Sequence, residues 1–241
     1  MVLIRQCILG LIFVCVSYSG SCQSSEFVIT GEITGLDKGN IQIWQPKDST
    51  FYATTNKIPI VNGKFTIKGF LRVPSRTALV IIGEPDIVIE SDFFYIDSGY
   101  QNLTINVSKD QIKLTSTAKT FQDHIQYYKP YVDSLNQLIR NLNKIIDEDS
   151  AKRDEKFLDS LNRFEQVLKV KKGIFLLEYI IEKPRSYVGL SELSSSINAF
   201  NNNQMYEVAY SFLSEELKQS HEGQETLKKI NLVKQLNEGL K

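Results

Sequence analysis

Val61-Asn62-Gly63-Lys64 leading into Phe65-Thr66-Ile67 decides the reading of the first half of the chain. Asn-Gly suits a tight hairpin turn because both residues tolerate positive φ. Upstream, Phe27-Val28-Ile29-Thr30-Gly31-Glu32-Ile33 is strand-like; the turn cluster Asp37-Lys38-Gly39-Asn40 follows it, and then Ile41-Gln42-Ile43-Trp44. Downstream, further β-rich runs occupy 77–82, 93–96, 103–107 and 112–115. Short strands punctuated by Gly and Asn predict an antiparallel β-sandwich or half-barrel over residues 26–115.

After Ser116 the hydrophobic period changes. Tyr128, Tyr131, Leu135, Leu138, Leu142 and Ile145 recur at three-four spacing, which places an apolar stripe on one helix. Phe157, Leu161, Phe164, Leu168 and Phe175 mark a second helix. Pro130 belongs near the start or at a kink of the first, since it has no N–H to donate in a helix interior. Pro184 stops the second, and Ser186 is placed to cap a third from Tyr187 to about Phe200. Asn201-Asn202-Asn203 reads as a turn before two shorter helices near 204–212 and 224–236. The expected fold class is α+β, with a helical region over residues 116–241.

Ahead of both halves stands an export signature. Arg5 is the only charged residue before Glu26, and the apolar run from Cys7 to Val16 is too short to span a bilayer. A basic start, a short apolar core and the small residues Ser17, Ser19, Gly20 and Ser21 predict a signal peptide over residues 1–21. Cys22 follows Ser19-Gly20-Ser21, an arrangement that resembles the lipobox of bacterial lipoproteins, although Ser19 stands where an apolar residue is usual. Residues 22–25 are therefore expected to be a lipid-anchor tether with Cys22 as the attachment point. The protein is expected to be exported, on the inner or outer membrane facing the periplasm or cell surface; the alternative is a soluble periplasmic protein.

Composition narrows the function. With 28 Lys+Arg against 28 Asp+Glu, the chain lacks the basic footprint that nucleic-acid binding requires. Two histidines cannot form a three-His metal site, and all 3 cysteines fall at or before Cys22. His124 beside Asp123 and His221 beside Glu222 suggest acid–histidine pairs, but neighbours on a helix diverge, so both imidazoles are expected on a solvated surface. Asp147-Glu148-Asp149 lacks the spacing of a calcium loop and reads as a helix end. No metal, cofactor or catalytic residue is expected. The aromatics offer the one binding signal: alternation along a strand sends neighbouring rings to opposite faces. Trp44, Tyr52, Phe94 and Tyr100 are the candidates for a surface that takes a peptide, glycan or partner domain, against the plainer reading that they fill the core.

A resemblance supplies the rest. Gly31-Glu32-Ile33-Thr34-Gly35-Leu36-Asp37-Lys38-Gly39, Val61-Asn62-Gly63-Lys64-Phe65-Thr66-Ile67-Lys68-Gly69 and Tyr95-Ile96-Asp97-Ser98-Gly99 resemble an uncharacterised domain, the domain of unknown function 4369. Lys183-Pro184-Arg185-Ser186-Tyr187-Val188 and Leu213-Ser214-Glu215-Glu216-Leu217 resemble the helical region that accompanies it. In envelope proteins of the TlpA/ResA kind these parts precede a thioredoxin fold, whose C-x-x-C performs disulfide exchange through a low-pKa thiolate. This sequence has no C-x-x-C, so the resemblance does not bring that activity with it. It implies a non-catalytic envelope lipoprotein, a binding or adaptor module whose partner is an envelope protein such as a thioredoxin-fold protein on another chain. The alternative is a remnant of such an oxidoreductase without its catalytic domain.

Overall fold

A computed structural model of the chain describes residues 24–47, 50–53, 56–83, 87–108, 111–149, 155–197 and 203–239. The predicted signal peptide and Cys22 lie outside the described residues. Ten strands come first: β1 (Ser25–Thr34), β2 (Lys38–Lys47), β3 (Thr50–Ala53), β4 (Ile58–Val61), β5 (Lys64–Leu71), β6 (Ser75–Gly83), β7 (Ile87–Glu90), β8 (Phe94–Ile96), β9 (Gly99–Ser108) and β10 (Gln111–Ser116). They are ordered β10-β9-β1-β5-β4-β2-β6-β7, with β3 beside β2 and β8 beside β6. The two ends of that order, β10 and β7, approach each other, so the sheet is a nearly closed barrel.

One ladder departs from the antiparallel expectation. β1 pairs with β9 in parallel, from Phe27 opposite Gly99 to Thr34 opposite Asn106, while the other ladders are antiparallel. Alternation tells which side chains face inward and is silent on the direction of the partner strand. The parallel pair needs a long crossover, and β2 to β8 provide it.

The hairpin turn forms as its sequence dictates. Asn62 and Gly63 have φ of 52° and 69°, and Val61 pairs with Lys64 across them. Inside the barrel, β1 and β5 interlock through two glycine–phenylalanine pairs. Gly31 lies opposite Phe65, and Phe27 lies opposite Gly69. A Cβ at Gly31 would come within 2.0 Å of the Phe65 ring, so only glycine leaves that ring its seat. Ile29, Ile41, Ile43, Ile67, Leu79 and Ile105 fill the remaining barrel core. Ala118 and Phe121 close it from below, with the Phe121 ring edge-on to Phe94 at 6.3 Å.

The helices are α1 (Lys119–Asp123), a π-helical turn (His124–Tyr128), α2 (Lys129–Asp149), α3 (Glu155–Glu182), α4 (Tyr187–Ser196), α5 (Asn203–Phe212), α6 (Glu215–Gln219) and α7 (His221–Gly239). The first three run on from one another, so the described residues form six rods. None is long and apolar enough to cross a membrane. Pro130 sits just where the π turn gives way to α-helix, consistent with the hydrogen bond it cannot make. The Ser186 hydroxyl accepts from Gly189 N–H at 3.5 Å and caps α4, which ends at Ser196. The short α6, capped by Ser214, was not predicted.

The predicted stripes are only half used. Tyr128, Leu135 and Leu142 are buried, as is Leu168, whereas Tyr131, Leu138, Ile145, Phe157 and Phe164 stay 39% to 50% exposed. The reason is that α2 packs chiefly on α3, and a two-helix contact covers a narrow seam of each.

A candidate binding cleft at the barrel–helix junction

Three residues of β8 join the two halves. Phe94 and Ile96 point into the barrel, while Tyr95 points out of it into a second core. That core gathers Tyr128, Leu176, Tyr179, Ile180, Leu193 and Tyr206 from the π turn and α3 to α5. The alternation that defines a strand thus makes β8 a wall shared by two cores.

Around Tyr95 lies a train of rings. His124 meets it edge-on at 5.1 Å and stacks with Tyr128 at 6.0 Å; Tyr128 in turn meets Tyr179 at 5.3 Å. The four-residue spacing of His124 and Tyr128 would put them on one helix face, and the π turn carries both inward. His124 is only 8% exposed, which corrects the expectation of a surface imidazole. Asp123 does not orient it; that carboxylate lies 3.6 Å from Lys183, whose ammonium sits 3.4 Å from the centre of the Tyr127 ring. Burial, then the charges of Lys129 and Arg76, lower the His124 pKa to about 4.

Two polar atoms in this core are unpaired among the described residues: His124 Nδ1 and the Tyr128 hydroxyl. Tyr95 fares differently, for its hydroxyl donates to Glu192 Oε1 at 3.1 Å. Burial, followed by the Glu192 charge, pushes the ionisation of both tyrosines well above its usual range. The same Glu192 carboxylate acts on Tyr128. Such orphaned groups are uncommon in folded interiors and call for a specific cause.

The unpaired atoms sit beneath open clefts. One of about 440 Å³ is lined by His124, Tyr128, Arg76, Arg140, Lys172 and Glu192, among others. Another of about 730 Å³ shares Arg76, Tyr128, Lys172 and Glu192 with it. A third, about 780 Å³, runs on between the β5–β6 turn and α4 and α7, and again includes Arg76. Arg76 lines all three clefts: its guanidinium covers the Phe93 ring at 4.2 Å and donates to Ser195 Oγ at 3.1 Å. These volumes suit small ligands.

The sequence-predicted aromatics are not brought together here. Phe94 is 2% exposed in the barrel core, and Tyr100 is 89% exposed on β9 opposite Val28. Trp44 is half-buried on β2, and its buried indole N–H has no partner among the described residues. Tyr52 pairs with Gln45 through the backbone, and its side chain lies outside the described residues. Phe94 therefore belongs to the core and not to a binding surface, because the β8 register turns it inward. The residues that sequence reasoning passed over are Arg76, Tyr95, Tyr128 and Glu192. Their signal was faint: Phe93-Phe94-Tyr95 alternates, and His124 and Tyr128 share a helical face.

Comparison with curated proteins gives no match. Among solved structures, the chain is similar to the CBM25-1 module of a beta/alpha-amylase from Paenibacillus polymyxa. That likeness has 16% identity and a TM-score of 0.28, over 40% of this chain and 95% of that one. A protein from Eubacterium rectale is similar at 9% identity and a TM-score of 0.28, over 42% of this chain and 95% of that one. Likenesses at this level carry no statement about ligand or activity. A family model matches as well, and its match runs past β10 into α1, taking in the Phe121 that closes the barrel. Residues 27–122 carry a domain of unknown function, DUF4369.

Proposed function

We propose that the chain is a non-catalytic binding module of the bacterial cell envelope, exported by its N-terminal segment and anchored through lipid on Cys22. Its ligand-facing surface is the junction cleft. The observation that carries this reading is an open polar cleft whose wall holds two buried polar atoms without a partner among the described residues. The state of His124 supports recognition rather than turnover: an imidazole that stays neutral down to about pH 4 is a weak base, and among the described residues its Nδ1 has no partner.

The partner proposed from the resemblance is an envelope protein of thioredoxin fold, borne on another chain as in systems of the TlpA/ResA kind. Crosslinking of the protein in native envelope membranes, read by mass spectrometry, tests the reading. Recovery of a thioredoxin-fold protein at near-equal amount, lost when Arg76 and Lys172 are replaced by Gln, is the expected result. Recovery unchanged by those substitutions would place recognition elsewhere on the molecule.

A further inference from the structure

Tyr128 stands where two clefts meet. It is 1% exposed, and neither its hydroxyl nor the neighbouring His124 Nδ1 has a hydrogen-bond partner among the described residues. Both residues line the cleft, which gives an entering group access to them.

The charges around that entrance are unevenly satisfied. Lys129 is held by Asp133 at 2.6 Å and Asp92 at 3.6 Å. Lys172 donates to the neutral amide oxygen of Asn136 at 3.3 Å, and Arg76 to the neutral hydroxyl of Ser195. Arg140 meets no carboxylate within salt-bridge distance among the described residues. Against these three cations stands Glu192, already accepting from Tyr95. A cationic ligand would be repelled by arginines that cannot lose their charge, and a neutral one would leave them as they are.

We propose that the cleft binds the oxyanion of a small ligand, a carboxylate or a phosphate, with the Tyr128 hydroxyl as the inner donor and Lys172 and Arg76 as charge partners. His124 donates a further hydrogen bond in the tautomer that carries its proton on Nδ1. Charge-assisted hydrogen bonds from ammonium and guanidinium groups to such oxygens are the strong class. This inference rests on the reading of the cleft as the ligand-facing surface and adds the chemistry of what enters.

The test is calorimetric titration of the chain with inorganic phosphate, N-acetylalanine and its neutral counterpart N-acetylalaninamide, which separates phosphate from carboxylate and both from an uncharged amide. At least one anion is expected to bind saturably and the amide is not. Y128F and K172Q should each weaken the anion by about tenfold or more, and K64Q on the barrel should leave it unchanged. Equal binding of the amide, unchanged affinity in Y128F and K172Q, or no anion binding up to about 10 mM would each overturn the oxyanion assignment. The wider reading survives that failure if crosslinking to an envelope partner still depends on Arg76 and Lys172, and falls with it if that dependence is also missing.

Discussion

The Tyr95 hydroxyl donates to Glu192 Oε1 at 3.1 Å, joining β8 of the barrel to α4 across 97 positions of sequence. The bond is made by a buried ring from the wall between the two cores. It ties the barrel to the helical region at the edge of the cleft. Tyr95→Phe keeps the ring and removes the donor, so it should cost about 1–2 kcal/mol in urea unfolding. Glu192→Gln retains an acceptor and should cost less than Tyr95→Phe.

His124 sets a pH dependence whose sign is fixed by its burial. The unfolded imidazole takes up a proton near 6.5, the folded one only near 4. Between those values the unfolded state binds more protons, so stability falls as pH drops from about 6.5 to 4 and is fully present above that window. The full effect is on the order of 3 kcal/mol. His124→Phe keeps a ring against Tyr95 and Tyr128 and removes the titration. Unfolding free energies at pH 7 and pH 4.5 should therefore differ less in the variant than in the parent protein.

The glycine–phenylalanine interlock gives a sharper structural prediction. Gly31→Ala drives a Cβ to within 2.0 Å of the Phe65 ring, which is buried in the barrel core. The expected loss is about 3 kcal/mol, at the upper end of overpacking costs. Phe65→Leu clears the space, so the double variant should be less destabilised than the two single losses added together. Denaturant midpoints for the four proteins of that cycle check it.

Phe121 predicts where the barrel can be cut. A fragment of residues 24–116 leaves the seats of Ala118 and Phe121 empty, and it should collapse without fixed side-chain packing and bind hydrophobic dyes. Extending it to residue 126 restores both residues and the partly buried Ile125, and should give dispersed amide resonances. A dispersed spectrum from the shorter fragment would show that the barrel closes without its helix.

Local chemistry accounts for what the sequence makes legible. Asn62-Gly63 fixes a turn, alternation in β1 and β5 fixes their inner faces, and Ser186 fixes the start of α4. Long-range partners are another matter. β7 is not read as a separate element, although the still shorter β8 is. The parallel β1–β9 pair depends on chain direction, which hydrophobic pattern does not encode. His124 misled for a related reason. Asp123 and Gln126 near it are polar, and only the π turn together with β8 brings Tyr95, His124 and Tyr128 into one buried train. The cleft was hidden likewise, since Arg76, Tyr128, Lys172 and Glu192 come from four separate elements.

The most direct test of the cleft as a built binding site is the stability of Tyr128→Phe without any ligand. A buried hydroxyl that waits for an incoming group is a burden to the empty protein, at about 1–3 kcal/mol. The variant should therefore unfold at a higher urea concentration than the parent protein, with an unchanged denaturant slope. A lower midpoint would mean that the hydroxyl is already bonded within the fold, to Glu192 above all, and would contradict the account.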